Sequence, residues 1–420
     1  MLRTVPIAHH AGLAPKEWKS MHDGELTWME RAELMALLFL HGMALSAWFV
    51  PMGSVLQAAG MKELVPFAFA ASAIAALLSP LFFGAMADRS VPPLRVLRWI
   101  SVGGAILALA VAWAIESRAN HAVVWLGIQL QSLLSVPTNS LTGSIVFSKI
   151  ARSHHRFGAI RAMGTAGWMT GCWLVSWLHL DALPSVFQMS AVLWIILAGF
   201  TWLIPQGEVI ATASQRLTLR ERFGLDALSL LKIHDHRVIF ATAALVAIPF
   251  AAFYPYTPAH MTDLGLKRTS AWMSLGQATE VFVMIAIGWI LSRFSLKSII
   301  LAGLVFGVAR YILYAIDSSP ALLSGVALHG MAYTFTYIST QIYLAKKIDA
   351  AWRTRAQALL SMLTGGIGNL VGYLLTGMWK RACEVDGHVD WTTYWIGLNV
   401  LVLMVAVYFA FGYRSREILK

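Results

Sequence analysis

Twelve runs of about 20 mostly apolar residues follow one another along the 420-residue chain, at roughly 34–57, 65–87, 95–115, 121–145, 159–179, 185–204, 238–260, 270–292, 297–316, 320–345, 355–379 and 391–412. Each is long enough to cross a hydrocarbon core of about 30 Å as a helix rising 1.5 Å per residue. In lipid such a segment must satisfy its own backbone, so the chain is expected to be an all-α integral membrane protein. The composition agrees, with 58% hydrophobic and only 13% charged residues. The fourth and fifth runs are the most polar.

Residues 1–33 are polar and have no apolar core followed by a small-residue cleavage site, which makes them a tail and not a secretory signal. The longest connector, 205–237, separates two sets of six runs. The organisation is therefore a tail at 1–33, a six-helix half at 34–204, a linker at 205–237, a second half at 238–413 and a tail at 414–420. With both termini inside, about 20 Lys and Arg lie in or beside the inner loops and the C-terminal tail, while the outer loops hold Lys62, Arg118, Lys267, Arg268, Lys380 and Arg381. That asymmetry follows the positive-inside rule. It accounts for the net charge of +11 without a nucleic-acid partner. Helical spans of this kind suit a cell inner membrane.

Glu280 is the residue the spans explain least. It sits near the middle of the eighth span, whereas the other 20 of the 21 acidic residues lie in tails, in loops or within a turn of a boundary. An acid at the bilayer centre costs about 2.5–3.5 kcal/mol on insertion scales, so such residues usually face a cavity or a partner. Alternatively, it is satisfied locally by a neighbour. Polar stripes at helical spacing accompany it: Gln131, Ser135, Asn139 and Thr142 in the fourth span; Arg161, Thr165, Trp168 and Cys172 in the fifth; Gln277 with Glu280 in the eighth; His329, Tyr333, Thr336, Tyr337 and Thr340 in the tenth. The seventh span carries FAAFYPYTP, whose prolines interrupt the hydrogen-bond ladder. Each Ser or Thr separately can be helix-helix glue. Together with an acid and an arginine, they predict a wet central cavity where Trp168, Tyr254 and Tyr333 stack on a flat ring while Asn139 and Gln277 read its edge.

The marks of most enzymes are missing: there is no GxSxG elbow, phosphate loop, HExxH or paired-Cys motif. His154 and His155, with His234 and His236, read as solvated loop residues and not as a metal centre. Cys172 and Cys383 do not form a disulfide framework. Neither cofactor nor metal is expected.

A 6+6 layout with both ends inside resembles the major facilitator superfamily, whose halves rock about a midplane site. GAMADRSVPPLR at 84–95 resembles that family's loop after the second helix, although Pro92 and Pro93 replace part of its pattern. The resemblance implies a gating charge latch at Asp88 and Arg89; a solvated charged loop is the other reading. More specifically, FGAIRAMGTAGW (157–168), SLGQATE (274–280), HGMAYTF (329–335), RAQALLSMLTGGIGN (355–369) and DWTTYW (390–395) resemble the nucleoside:proton symporter family, across about Glu33 to Tyr413.

That resemblance implies import of nucleosides with protons by a monomer. It implies substrate contacts at Arg161, Thr165, Trp168, Gln277, Glu280, His329, Tyr333 and Thr334. Thr334 stands where better-known members have an acid implicated in coupling, and Ala251 and Tyr254 stand where they have Gln and Asn. Glu280 and Arg161 are the expected coupling pair, since loss of water favours the neutral carboxyl and a facing cation the charged one. Arg310 in the ninth span is a competing partner, or else it snorkels outward. A carrier of another neutral polar solute such as an oligosaccharide, a carrier of an aromatic acid, and a non-transporting membrane sensor remain the alternatives.

Overall fold

The computed structural model describes residues 26–87, 91–150, 157–205 and 218–415. Twelve helical spans run through it, labelled here in chain order. In the first half α1 is Trp28–Phe49 continued by Met52–Ala58, α2 is Val65–Ala87, α3 is Pro93–Glu116, α4 is His121–Ser135 with Pro137–Ile150, α5 is Phe157–Trp177 and α6 is Ser185–Phe200. In the second, α7 is His234–Phe250 with Phe253–Asp263, α8 is Thr269–Arg293, α9 is Leu296–Ala315, α10 is Ser319–Lys347, α11 is Ala350–Ala382 and α12 is Trp391–Gly412. Eight of these, α1–α3, α7–α9, α11 and α12, are long and apolar enough to cross a membrane by length and composition. The other four fall short in length or apolarity, α6 being only 16 residues long.

The ends follow local chemistry. α1 starts at Trp28 and not near 34, because Thr27 and Glu30 form a reciprocal capping box that satisfies two free N–H groups at the helix start. α7 likewise starts early, so His234 and His236, expected in a loop, form its first turn. There His234 Nε2 bonds the Gly412 carbonyl at 2.8 Å and His236 Nδ1 bonds Tyr343 Oη at 2.6 Å. His154 and His155 lie outside the described residues. Prolines account for the interruptions. α1 breaks before Pro51, α4 before Pro137 and α7 just after Pro249, whose carbonyl accepts from Tyr311 Oη at 2.5 Å. α10 and α11 each contain a π-helical segment, Thr334–Ile338 and Met362–Gly368, which rotates the face presented by the following residues.

The two halves repeat one plan. α3 packs on α6 and α9 on α12 at the periphery, while α1 packs closely on α5 and α8 on α10. Small residues permit the close pairs. A Cβ on Gly167 would overlap the Phe39 carbonyl of α1, and one on Gly330 would overlap the Glu280 nitrogen and the Gly276 carbonyl of α8. Gly330→Ala therefore forces α8 and α10 apart at Glu280. Overpacking of this kind costs about 1–3 kcal/mol, so the variant is expected to unfold at lower temperature and to lose uptake. A purified variant with unchanged thermal stability would contradict this packing.

Lipid-facing surface is assigned by exposure. On α8, Phe282, Ile285 and Trp289 are 74%, 80% and 60% exposed, and at 100° per residue they lie on the side opposite Glu280.

The halves meet at one end of the bundle. Asp181, in the α5–α6 loop, accepts from the Ser270 backbone N–H at 2.8 Å and from Ser176 Oγ at 2.9 Å, and Ser176 Oγ accepts from the Ala271 N–H at 2.9 Å. The start of α8, where Arg268 supplies no side-chain cap, is thus capped from the other half. Trp173 Nε1 donates to Ser274 Oγ at 2.8 Å just below. Beside this, the hairpin β1 (Glu384–Val385) and β2 (His388–Val389) turns through Asp386 and Gly387, both at positive φ as a type I′ turn requires. Its Glu384 pairs with Lys62 at 3.0 Å, and Arg381 pairs with Glu63 at 3.4 Å. Partial burial pushes the Glu384 carboxyl up, but Lys62 and Lys380 outweigh it and hold it below the usual carboxylate range. The pair is therefore intact at neutral pH and is released only as pH falls through that lowered value.

Removing the shared cap should loosen this end. A side-chain N-cap contributes about 0.5–2 kcal/mol, or roughly 2- to 30-fold in a conformational equilibrium. Asp181→Ala is expected to raise by that factor the population with the halves parted, read as a longer distance between spin labels at Gly60 and Asp386. An unchanged distance distribution would count against the latch.

Candidate functional site

Between the halves lies a cavity of about 650 Å³, inside the usual range for small-molecule sites. Its lining comes from α1, α2, α4, α5, α7, α8, α10 and α11, and it continues past Phe147, Gln341 and Leu360 toward the end opposite the latch.

Nine of the ten residues expected to meet the solute line this one space: Asn139, Arg161, Thr165, Trp168, Tyr254, Gln277, Glu280, His329 and Tyr333. Thr334 does not. It is fully buried, and its hydroxyl has no partner among the described residues. The reason is angular: His329, Tyr333 and Tyr337 recur every four residues along the cavity face, so the next residue after Tyr333 is turned off that face into the helix packing. Ala251 lines the cavity alongside Tyr254. Asp88 and Arg89 lie outside the described residues.

Glu280 and Arg161 face each other across the space, one from each half. Arg161 is the charge that acts on Glu280, and both act on Tyr333. Among the described residues neither makes an ion pair within 4.0 Å. The Arg161 guanidinium lies over Gly164, whose missing side chain leaves it room. Arg310 does not compete for Glu280, and it does not snorkel. It is fully buried behind the cavity wall, with Nη1 2.5 Å from His329 Nδ1.

One wall is aromatic. Phe49, Trp168 and Tyr254 meet at centroid distances of 5.3–6.1 Å with tilted and edge-on geometry. Gln277 Nε2 donates to Tyr254 Oη at 3.1 Å, while Gln277 Oε1 and Trp168 Nε1 have no partner among the described residues. The wall therefore presents flat apolar faces, with an unpartnered acceptor and an unpartnered donor buried beside them. Sequence reasoning missed several lining residues: His41, Phe49, Ser72, Asn369 and Tyr373. His41 could have been found as a lone histidine inside an apolar span. It donates from Nε2 to Thr138 Oγ1 at 2.7 Å, because that hydroxyl already gives its proton to the Ser135 carbonyl.

A bundle of twelve spans in two six-helix halves around a central, two-sided cavity defines a secondary transporter of the major facilitator class. A family model described as "Nucleoside H+ symporter" matches residues 29–417. The "Putative nucleoside transporter YegT" of Escherichia coli (strain K12) is 30% identical over 406 residues, covering 92% of this chain and 94% of that protein. A crystal structure of a mutant of the nucleoside transporter NupG superposes with a TM-score of 0.83 at 22% identity, over 91% of this chain and 100% of that one. The major facilitator proton:xylose symporter XylE superposes with a TM-score of 0.61 at 12% identity, over 91% and 96%. At these identities the two structures speak to the fold alone. The chain belongs to the nucleoside H+ symporter family. It is a multi-pass membrane transporter and not an enzyme.

Proposed function

We propose that this protein imports nucleosides by proton symport, with Glu280 as the proton site, Arg161 as its switchable partner and the Phe49–Trp168–Tyr254 wall as the platform for the base. The observation that carries the reading is the placement of a mid-span acid and an arginine from opposite halves in the same cavity as that aromatic wall. With one positive and one negative charge, such a site suits a neutral solute better than an anion, which favours the nucleoside over an aromatic acid.

The coupling follows from electrostatics. When Glu280 is neutral, the halves are not drawn together through it, and solute and proton ride together. Once the proton leaves, the carboxylate attracts Arg161. A unit pair at 4 Å is worth about 4 kcal/mol at an effective dielectric of 20, and about 5.5 kcal/mol takes a two-state equilibrium from 1:99 to 99:1. Forming the pair therefore supplies most of the bias needed to reset the carrier.

We place the protein in a cell inner membrane as a monomer, with both termini cytoplasmic and segment 205–237 as a cytoplasmic linker between halves at 34–204 and 238–413. In that orientation the latch of Asp181, Lys62 and Arg381 closes the outer face, and the conformation described is inward-open. Counterflow in proteoliposomes tests the substrate class without requiring a gradient. Vesicles loaded with unlabelled uridine or adenosine are expected to draw in the labelled nucleoside transiently, and an equal load of a neutral disaccharide is expected not to. Counterflow of the sugar alone would replace this reading with the oligosaccharide one.

A further inference from the structure

Arg310 on α9 is fully buried, and among the described residues it has no acidic partner. Its guanidinium sits 4.4 Å from the Phe250 ring centroid, 4.5 Å from that of Tyr311 and 5.7 Å from that of Phe253, and its Nη1 lies 2.5 Å from His329 Nδ1. A guanidinium has five donors and no acceptor. Nδ1 must therefore accept, and an imidazole accepting at Nδ1 carries its proton on Nε2; the imidazolium would set N–H against N–H. The ring is also fixed in plane, stacked on Phe253 with centroids 3.6 Å apart and 1° between planes. His329 lines the cavity, and its Nε2 has no protein partner among the described residues.

We propose that Arg310 is a positioning residue that locks His329 in the Nε2–H tautomer, so that the cavity presents a permanent N–H donor to an acceptor, a carbonyl oxygen or ring nitrogen, on the base of the solute. Gln277, in the same cavity, supplies the complementary acceptor. Gln277 donates one amide hydrogen to Tyr254 Oη, and its Oε1 has no partner among the described residues. A base that offers both a donor and an acceptor along one edge is matched by Gln277 Oε1 and His329 Nε2–H together. The solute half of this inference rests on the nucleoside reading above; the tautomer half does not.

The test uses the full chain in nanodiscs, labelled with ¹⁵N-histidine, with the His329 signals assigned by their loss in His329→Gln. Nitrogen shifts are expected to show Nε2 protonated and Nδ1 unprotonated, retained in Arg310→Lys and mixed between tautomers in Arg310→Met. An Nδ1–H tautomer or an imidazolium in the unsubstituted protein overturns the proposal. In counterflow, His329→Gln, which keeps an amide donor, is expected to hold KM for uridine within about threefold, and His329→Leu to raise it about tenfold, the upper end for one lost hydrogen bond. Equal KM values for the Leu and Gln variants would overturn the donor role even with the tautomer as expected. The tautomer measurement needs no solute, so failure of the unsubstituted protein to exchange nucleosides would contradict the functional reading separately.

Discussion

Glu280→Gln is expected to abolish nucleoside accumulation against a gradient while sparing exchange. Glutamine has nearly the shape of the neutral acid and cannot ionise, so the variant is held in the state that binds solute but carries no exchangeable proton. One pH unit is worth 1.36 kcal/mol. At one proton per solute, the unsubstituted protein should therefore accumulate about tenfold per unit of inward proton gradient, and the variant should stop at equality with the outside. Counterflow, which needs no net proton movement, should persist in the variant. The lipid-facing side chains Phe282, Ile285 and Trp289 lie on the opposite side of α8 and are untouched by the change, so loss of accumulation with counterflow retained isolates coupling from folding. Accumulation retained in the variant would remove Glu280 from the mechanism.

Trp168→Ala should give the largest loss of affinity. Stacking of a nucleobase on an aromatic side chain is worth about 1–3 kcal/mol by alanine substitution, which corresponds to roughly 5- to 150-fold in Kd. Trp168 contacts both Phe49 and Tyr254, so its removal also loosens the two remaining rings, which favours the upper part of the range. Trp168→Phe should recover much of the loss, because it keeps a flat face and gives up only the Nε1 donor. Binding of labelled uridine to purified protein measures both variants. Equal affinities for the unsubstituted protein and the Ala variant would assign the wall to packing alone.

Several of these features were readable from the sequence, and the reasons for the others are physical. Span length and apolarity are local properties, so all twelve helices appear in the sequence, and the early start of α1 was present as the Thr27 and Glu30 pair. Four-residue stripes placed Asn139, Trp168 and Tyr333 on faces that converge on the cavity, because a single helix fixes which of its own residues align. Thr334 was carried over from a family position, yet it lies one residue from Tyr333 and so cannot share its face. Arg310 was ambiguous in the sequence because its partner is 19 positions away on the next helix, and only the packing of α9 against α10 decides between an outward and an inward guanidinium. Ser72, Asn369 and Tyr373 escaped notice for a similar reason. They line the cavity from α2 and α11, spans whose single polar residues look like ordinary helix contacts until the two halves are brought together.

The most direct test of a proton site shared with the solute is movement of the proton itself. Proteoliposomes carrying a pH-sensitive dye in the lumen, with no initial gradient and with potassium and valinomycin to clamp the membrane potential, are given external uridine. Acidification of the lumen in step with uridine entry is expected, and its absence in Glu280→Gln. Uridine entry with no change in lumenal pH would contradict the shared proton site and leave the protein a nucleoside facilitator.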